Sequence, residues 1–335
     1  MSTPTSPLQR AQQAVAPLLG ISSPEDVQLM ASSTDTLSQA ILNFHWKPGD
    51  GIVISAIEPT SILRAVRKMA REHGLQFYIV PYTDAVPFDT NTLETLLQTY
   101  PNVRLVVVPH ASHVIGSILP IETIGALTQQ YHTLFWLDIT DTMGRLPINT
   151  HALNANLIVG RGNQTFSIPE NTEIIYADGR RPPNQVPLTA EQLDLITKSA
   201  CQSQTIGLTE IREQESLMLA YLLDGLLAIP EVIVYGHTDI EQRIPVVSFN
   251  VLNQYAHTVA EQLPRLNQLT IEAGFHGSPM AHEAIGTLHR DGTIRVELNY
   301  RTSFEAINTL LSALKNSIYS AERRPRNQQP NLSPY

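Results

Sequence analysis

Apolar residues along the first two thirds of the chain follow two alternating periods. Short runs of β-branched and other apolar residues predict strands, and the segments between them carry apolar residues every three or four positions, which predicts helices. The predicted strands are Ile52–Ala56, Phe77–Val80, Leu105–Val108 and Thr133–Leu137, with Asp26–Met30 as a further candidate strand. The predicted helices are Ile62–Glu72, Asn91–Thr99 and a segment with Ile121, Ile124, Leu127 and Tyr131 at helical spacing. Strands and helices that alternate at this pace predict an α/β fold, with a mainly parallel sheet flanked by helices.

The pattern changes after a proline-rich connector at 178–188. The elements predicted beyond it are the helices Glu210–Leu227, His257–Leu263 and Phe304–Ile318 and the strands Val232–Tyr235 and Val246–Val251. We therefore predict four segments along the chain. They are an N-terminal arm (1–24), a large α/β domain (25–204), a smaller C-terminal α+β domain (205–320) and a disordered tail (321–335).

Composition narrows the range of partners. A net charge of −9 argues against nucleic acid or an anionic membrane as a partner. Charged residues make up 16% of the chain, so we expect much of the surface to be either neutral and polar or covered by a partner. Cys201 is the single cysteine, so no intrachain disulfide forms and a reducing cytoplasm is the simplest location. No apolar run approaches the length of a membrane span, and we expect a cytoplasmic protein that does not bind membranes.

One acidic residue occupies a position where ligands of parallel sheets gather. The strand Leu105–Val108, the helix after it and the strand Thr133–Leu137 form a predicted βαβ unit, and Asp138 follows directly. Ligands of such sheets bind at the carboxyl ends of the strands. Aspartate is also a common turn former at strand ends. From position alone, Asp138 is therefore either a site residue or a turn former.

Several motifs around Asp138 and near the C-terminus point to a known family. They read HASHVIG at 110–116, WLDITDTMG at 136–144, IVGRGNQ at 158–164 and GFHGSPMAH at 274–282. In this order they resemble the cysteine desulfurase-like branch of the class V aminotransferases, over roughly residues 10–320. The resemblance implies the fold type I of enzymes that use pyridoxal phosphate (PLP). Family members usually carry a further N-terminal segment with a Leu-Asp-Asn-Ala-Ala motif, and we expect this chain to start after it.

The resemblance assigns roles to particular residues, and several of the family's reactive groups are replaced. The aspartate that matches Asp138 pairs with the pyridine nitrogen of PLP. The lysine that forms the Schiff base is Gln164 in this chain, preceded by Asn163, and an amide cannot form that bond. The histidine that stacks on the PLP ring is Pro59, and the cysteine that attacks substrate sulfur is Gly277.

Other matched positions allow two interpretations each. Thr34 lies at a helix start that grips the cofactor phosphate in the family, and ordinary helix capping explains the same residue. Asp141 stands where a glutamine meets the phenolic oxygen of PLP, and its charge would repel that oxygen. Arg161 replaces a phosphate-binding serine and either attracts an anion or is a surface arginine. Arg295 matches the arginine that holds a substrate carboxylate as a bidentate pair, with His113 as a second candidate for substrate contact.

By the resemblance, Asp138 and Arg295 point into one cavity, although their charges are opposite. A buried unpaired charge is costly, so each needs a partner. Either an internal network that includes His113 satisfies both, or Arg295 still receives the carboxylate of a ligand. His276 and His282 lack further ligands at recognisable spacing, and we predict no metal site.

These replacements predict a protein that has lost the family reaction. We expect a non-catalytic binding or partner subunit, a pseudoenzyme, with no covalently bound cofactor and PLP at most held non-covalently. A small carboxylate is the candidate ligand, and a homodimer or a heterodimer with an active relative is the expected assembly. The alternative is an enzyme that uses non-covalent PLP on a small amino acid such as cysteine, with Asp141 or His113 as its base.

Overall fold

The computed structural model describes residues 6–31, 35–150, 152–162, 172–177 and 186–322. Its helices are α1 (Pro7–Val15), α2 (Thr36–Asn43), α3 (Thr60–His73), α4 (Thr90–Thr99), α5 (Ile121–Gln130), α6 (Ala190–Ile206), α7 (Leu208–Leu227), α8 (Ala256–Ala260), α9 (Pro279–Ala284) and α10 (Phe304–Glu322). Its strands are β1 (Val27–Ala31), β2 (Gly51–Ser55), β3 (Gln76–Val80), β4 (Val103–Pro109), β5 (Leu134–Asp138), β6 (Leu157–Arg161), β7 (Thr172–Ala177), β8 (Val232–Tyr235), β9 (Val246–Val251), β10 (Leu269–Gly274) and β11 (Thr293–Leu298).

The chain divides into two compact units. Unit 1 comprises Met1–Tyr82, Phe88–Ala111 and Leu119–Ile211, and unit 2 comprises Thr83–Pro87, Ser112–Ile118 and Arg212–Tyr335. The short segment 112–118, which follows β4, thus belongs to the C-terminal unit. The domain boundaries predicted from the sequence stay predictions. Residues 323–335 of the predicted tail lie outside the described part of the chain.

Unit 1 is built on a seven-stranded sheet with the order β1-β7-β6-β5-β4-β2-β3. Neighbours from β6 to β3 are parallel, whereas β7 is antiparallel to both β1 and β6. The predicted βαβ unit is confirmed, because β4 and β5 are parallel neighbours with Val106 opposite Phe135. Both side chains are fully buried, as expected of strands covered on two faces. The predicted mainly parallel sheet flanked by helices is therefore confirmed.

The helices of unit 1 bury one apolar side each. In α3, Ile62, Val66 and Met69 recur at helical spacing and are buried, while the opposite side carries charges. The helix ends at Gly74, whose φ of +68° is the left-handed conformation that glycine adopts without strain. Periodicity thus locates this helix, and the glycine after it marks its end.

Unit 2 contains a four-stranded antiparallel sheet with the order β10-β11-β9-β8. One face of this sheet packs on α7 and α10. Its core includes Leu219, Leu222, Phe249, Val296, Leu310 and Leu314. Arg295 and Glu297 alternate with the buried Ile294, Val296 and Leu298 and so lie on the opposite face.

Four strands were missing from the sequence-based prediction, namely β6, β7, β10 and β11. The run before Arg161 is short and includes Gly160, so it carries weak strand signal. Apolar and polar residues alternate in Thr293–Leu298, which is a clear strand signal in a segment that also matches a family motif.

None of the helices in the described part of the chain has the length and apolarity of a membrane span.

Gly125 in α5 provides a test of this packing. A Cβ atom at this position would lie 2.0 Å from the backbone carbonyl oxygen of Leu153, which cannot rotate away. We expect Gly125→Ala to lower the free energy of unfolding by about 1–3 kcal/mol, although alanine ordinarily favours a helix over glycine. Denaturant unfolding followed by circular dichroism measures the change.

Gly225 in α7 is the matched control. Its added Cβ would meet the tip of the Leu311 side chain, which is able to move. Gly225→Ala should therefore cost much less than Gly125→Ala. Equal stability of the two variants would contradict the assigned contact between α5 and Leu153.

Candidate functional site

The carboxyl ends of β2, β4 and β5 bring three titratable groups to one edge of the unit 1 sheet. Glu58 follows β2, His110 follows β4, and Asp138 ends β5. The backbone N–H of His110 donates to the carbonyl oxygen of Asp138 at 2.7 Å, which holds the two strand ends together. This edge is where ligands of parallel sheets bind.

Asp138 forms a turn at this edge. One carboxylate oxygen accepts the backbone N–H of Thr140 at 2.8 Å and its hydroxyl at 2.5 Å. The Thr140 hydroxyl in turn accepts the backbone N–H of Arg161 at 3.1 Å, linking β5 to β6. Asp138 is therefore a turn former in this chain, and its role toward a cofactor stays a prediction.

The N-terminus of α2 is already occupied by carboxylates. Asp35 is the N-cap, and it accepts the N–H of Leu37 at 3.1 Å and the hydroxyl of Ser61 at 2.5 Å. Glu173 of β7 accepts the N–H of Thr36 at 3.1 Å and also its hydroxyl. Free backbone N–H groups at a helix start attract anions. Two of them at α2 are satisfied by the chain itself, while Thr34 lies outside the described residues.

Arg161 lies among acidic side chains. Glu173 is directly opposite Arg161 in the ladder between β6 and β7, so the two side chains share a face of the sheet. Burial alone would lower the pKa of Arg161, but Asp138, Asp35, Glu173 and Asp141 raise it above its ordinary value. The structure thus makes Arg161 a counter-ion of internal acids, with Asp141 as one of them.

Burial and neighbouring carboxylates raise the pKa of two carboxyl groups in this cluster. Burial raises the pKa of Glu58 to about 8, and the nearby Asp138 and Asp35 add to the shift. The Ser55 hydroxyl donates to Glu58 at 2.6 Å and opposes it. Burial and Asp138 also raise the pKa of Asp35. At neutral pH the Glu58 carboxyl is therefore mostly protonated, which reduces repulsion within the cluster.

His110 is a neutral group at the same edge. It is buried, and burial lowers its pKa to about 4. Its Nδ1 lies 2.8 Å from the hydroxyl of Thr142. His110 therefore contributes no positive charge to balance the acids.

In unit 2, Arg295 is engaged by three groups of the same unit. Its Nη1 donates to the carbonyl oxygen of His113 at 2.9 Å, and its Nη2 donates to Glu272 at 3.0 Å and Glu297 at 3.3 Å. Glu272 is opposite Arg295 in the ladder between β10 and β11, and Glu297 follows two positions later on the same face. The internal network predicted for Arg295 thus includes His113, through the backbone carbonyl of the histidine.

The loop before α9 holds the position matched to the family cysteine. Gly277 has a φ of +72°, and a Cβ there would meet no atom within 4 Å. The preceding His276 also has a positive φ, of 48°. Burial lowers the pKa of His276 to about 3 and that of His282 to about 4, so both are neutral. Across the described residues, no group of three potential ligands could hold a metal ion.

The remaining predicted site residues are distributed as follows. Pro59 precedes α3 as its N-cap residue, with an extended backbone. Asn163 and Gln164 lie outside the described residues. Pattern reading missed Glu58, Glu173, Glu272 and Glu297. For the last three, strand pairing is the signal, because each faces its arginine across or along a strand.

Comparisons with known proteins establish the family. The model of the family "Aminotransferase class-V" matches residues 2–165 and 195–310. The chain belongs to this family. It is similar to a probable cysteine desulfurase of Pyrococcus abyssi, with 22% identity over 327 residues, 88% of this chain and 80% of that protein. It is also similar to the cysteine desulfurase IscS of an Enterobacter species, with 25% identity over 92% of this chain and 80% of that protein.

Solved structures share the fold. The apo cysteine desulfurase of Thermococcus onnurineus superposes with a TM-score of 0.84 at 21% identity, covering 94% of this chain and 84% of that chain. The cystine C-S lyase C-DES, in complex with its reaction product cysteine persulfide, gives 0.75 at 20% identity, covering 92% and 86%. The predicted class V, cysteine desulfurase-like family and its fold type I are therefore confirmed.

The prediction that no cofactor is covalently bound is contradicted. One neighbour is a lysine-to-alanine mutant of C-DES with glycine covalently linked to its PLP cofactor, and it matches with a TM-score of 0.72 at 20% identity over 92% of this chain and 85% of that chain. The prediction took the lysine side chain as the sole route to a covalent bond. An amino acid has an amine of its own, so Gln164 at the lysine position does not exclude such a bond.

The raised pKa of Glu58 makes the stability of the folded protein depend on pH. Because its pKa is raised in the folded state, the folded protein binds more protons between about pH 4.5 and 8, and stability falls as pH rises through this window. Glu58→Gln removes the titration. The variant should gain stability relative to the parent across the window, by a total on the order of 3–5 kcal/mol.

Denaturant unfolding at pH 5, 6, 7 and 8 measures this gain. Glu25→Gln, at a solvent-exposed position, is the control and should follow the parent at each pH. A parent and Glu58→Gln variant that differ by the same amount at every pH would contradict the shifted pKa.

Proposed function

We propose that this chain is a cysteine desulfurase-like protein that does not carry out the desulfurase reaction and serves as a binding or partner subunit. The observation that carries the proposal is Gly277. By the resemblance, this position supplies the thiolate that accepts substrate sulfur, and glycine has no side chain to do so. Apart from the two adjacent residues, no described residue comes within 4 Å of the place that a Cβ atom would take there.

Internal carboxylates provide further support. Arg295, matched to the arginine that holds a substrate carboxylate, already contacts Glu272 and Glu297. The N–H groups at the start of α2 already contact Asp35 and Glu173. Groups that would recognise anions of a substrate or cofactor thus already contact carboxylates of their own unit. This arrangement suits a protein whose pocket chemistry has been replaced by an internal network.

The fit of PLP differs between its two ends. PLP is an electron sink when bound, and Asp138 is the residue that would pair with its pyridine nitrogen. The described residues do not fit its phosphate, because Glu173 and Asp35 take the N–H groups at α2 and would repel a second anion. A phosphate at this position has to displace Glu173.

The alternative enzyme gains no support from the geometry of His113. Its Nε2 lies 2.7 Å from the carbonyl oxygen of His276, and a carbonyl oxygen only accepts hydrogen bonds. The Nε2 atom therefore carries the proton, so a base at this position would have to be Nδ1. Asp141 acts on the pKa of Arg161, which is a structural use of its charge.

The reaction test is direct. Purified protein with added PLP and L-cysteine should release no sulfide above the buffer rate, because no thiolate is present at position 277. A cysteine desulfurase assayed in parallel shows that the assay works. Sulfide release by this chain above background would contradict the proposal.

The variant Gly277→Cys tests whether the missing thiol alone accounts for the expected lack of desulfurase activity. We expect the variant to remain inactive, because Arg295 is still engaged by acids and Gln164 still stands at the lysine position. Activity restored by this single substitution would show that the rest of the site is a working desulfurase.

A partner subunit is the second part of the proposal, and the expected assembly is a homodimer or a heterodimer with an active relative. The low charged fraction of the chain, 16%, supports a covered surface. Light scattering at micromolar concentration should give the mass of a dimer, either for the purified protein alone or after mixing with an active relative. A monomer mass, both alone and mixed with a cysteine desulfurase from the same source, would contradict it.

A further inference from the structure

Helix α3 carries a row of positive charges on its exposed side. The exposed cations are Arg64, Arg67, Lys68 and Arg71. Residues three, four and seven positions apart lie on one face of a helix, so these four side chains form a single row, the basic stripe. At a rise of about 1.5 Å per residue, the stripe extends over roughly 10 Å. It holds four of the 22 lysines and arginines of a chain whose net charge is −9.

Most of this charge is not compensated by neighbouring acids. Glu72 is the single acid of α3, and its carboxylate lies 4.0 Å from the ammonium group of Lys68. Across the described part of the chain, no hydrogen bond or ion pair engages the side chains of Arg64, Arg67 or Arg71. The guanidinium groups of these three arginines are therefore available to a partner.

The stability of α3 does not account for the stripe. A cation in the last turn of a helix is favourable because of the helix dipole, and this applies to Arg71. Arg64 and Arg67 lie in earlier turns, beyond the reach of that effect. Like charges three or four positions apart repel each other, and the stripe contains several such pairs. The arrangement weakens the helix, which is typical of a surface that serves binding rather than folding.

We propose that the basic stripe is a docking surface for an acidic segment of another protein. The planar guanidinium group binds a carboxylate through two parallel hydrogen bonds, and three of the four cations are arginines. An acidic helix that presents carboxylates over the same length is complementary to the stripe in both charge and extent. The inference goes beyond the proposed function, because it concerns a surface of unit 1 rather than the residues matched to the desulfurase site.

The charge of the whole chain favours a short acidic segment over a longer polyanion. The net charge is −9 even with the stripe included, so the rest of the chain is strongly acidic. A nucleic acid or an anionic membrane extends well beyond the stripe and would be repelled by this negative charge. The apolar side of α3, with Ile62 and Val66, is buried and cannot insert into a membrane. A protein segment no longer than the stripe avoids both obstacles.

The experiment measures the binding of two helical peptides by chemical-shift titration of the full-length protein at low salt. Both peptides are alanine-based and carry four glutamates. One peptide places the glutamates on a single face at the spacing of the stripe, and the other spreads them around the helix. The parent protein should bind the one-face peptide several-fold more tightly than the other. The triple variant Arg64→Gln/Arg67→Gln/Arg71→Gln should weaken this binding by about tenfold, because three exposed ion pairs are lost.

A second triple variant controls for net charge. Lys198→Gln/Arg265→Gln/Lys315→Gln also removes three positive charges, at exposed positions that are far apart in the sequence. It should keep the affinity of the parent to within about twofold, because distant exposed charges are screened. Denaturant unfolding checks that the stripe variant is folded. Its unfolding midpoint should equal or exceed that of the parent, since repulsion along α3 is relieved.

The proposal is overturned if the parent does not bind the one-face peptide, or binds both peptides equally well. An equal loss of affinity in the two triple variants would show that net charge alone matters, and would overturn it too. So would a lower unfolding midpoint of the stripe variant, which would make the arginines structural. Tighter binding of a single-stranded oligonucleotide or of phosphatidylserine vesicles through the same arginines would replace the acidic protein segment by a polyanion. Sulfide release and the mass of the assembly do not enter this test, so the proposed function can fail independently.

Discussion

Among the described residues at the carboxyl edge of the unit 1 sheet, carboxyl groups outnumber the cations near them, and a buried carboxyl group there needs hydrogen-bond donors or a proton. In unit 1, Asp35, Asp138 and Glu173 find backbone N–H groups, hydroxyls and Arg161. Glu58 accepts the hydroxyl of Ser55, and burial raises its pKa to about 8, so it keeps a proton at neutral pH. A buried charge without a partner is strongly unfavourable, so each of these carboxyl groups is either hydrogen-bonded, paired with a cation or protonated. The local structure at the carboxyl edge of the sheet follows from this requirement.

In each unit, an antiparallel strand pair places an acid opposite an arginine. Glu173 faces Arg161 across β6 and β7, and Glu272 faces Arg295 across β10 and β11. Residues directly opposite in such a ladder have neighbouring side chains, so one acid neutralises one arginine without any loop. A scaffold that bound anions through its arginines can thus lose that ability by one substitution on the neighbouring strand.

The sequence predicted the parts of the fold that depend on local periodicity. The strands β2 to β5 and the helices between them have continuous apolar runs and clear helical spacing, and both were located. Short strands such as β6, with Gly160 inside it, were not. Asp138 was correctly placed at a strand end because a βαβ unit fixes that position. The pairing of Arg295 with Glu272 could not be predicted, because it depends on the register of two strands whose residues are 23 apart in sequence.

Strand β7 comes late in the sequence of unit 1 and pairs with its first strand, which affects the order in which the chain folds. Strand β1 pairs with β7, and Glu173 of β7 completes the hydrogen bonding at the start of α2, 137 residues after Thr36. During synthesis, the first strand and the second helix therefore wait for the last strand of the sheet before either is finished. Contacts with such long sequence separation close slowly, because the entropy of a long loop must be lost first. The N-terminal part of unit 1 is thus among the earliest segments made and among the last to be fixed.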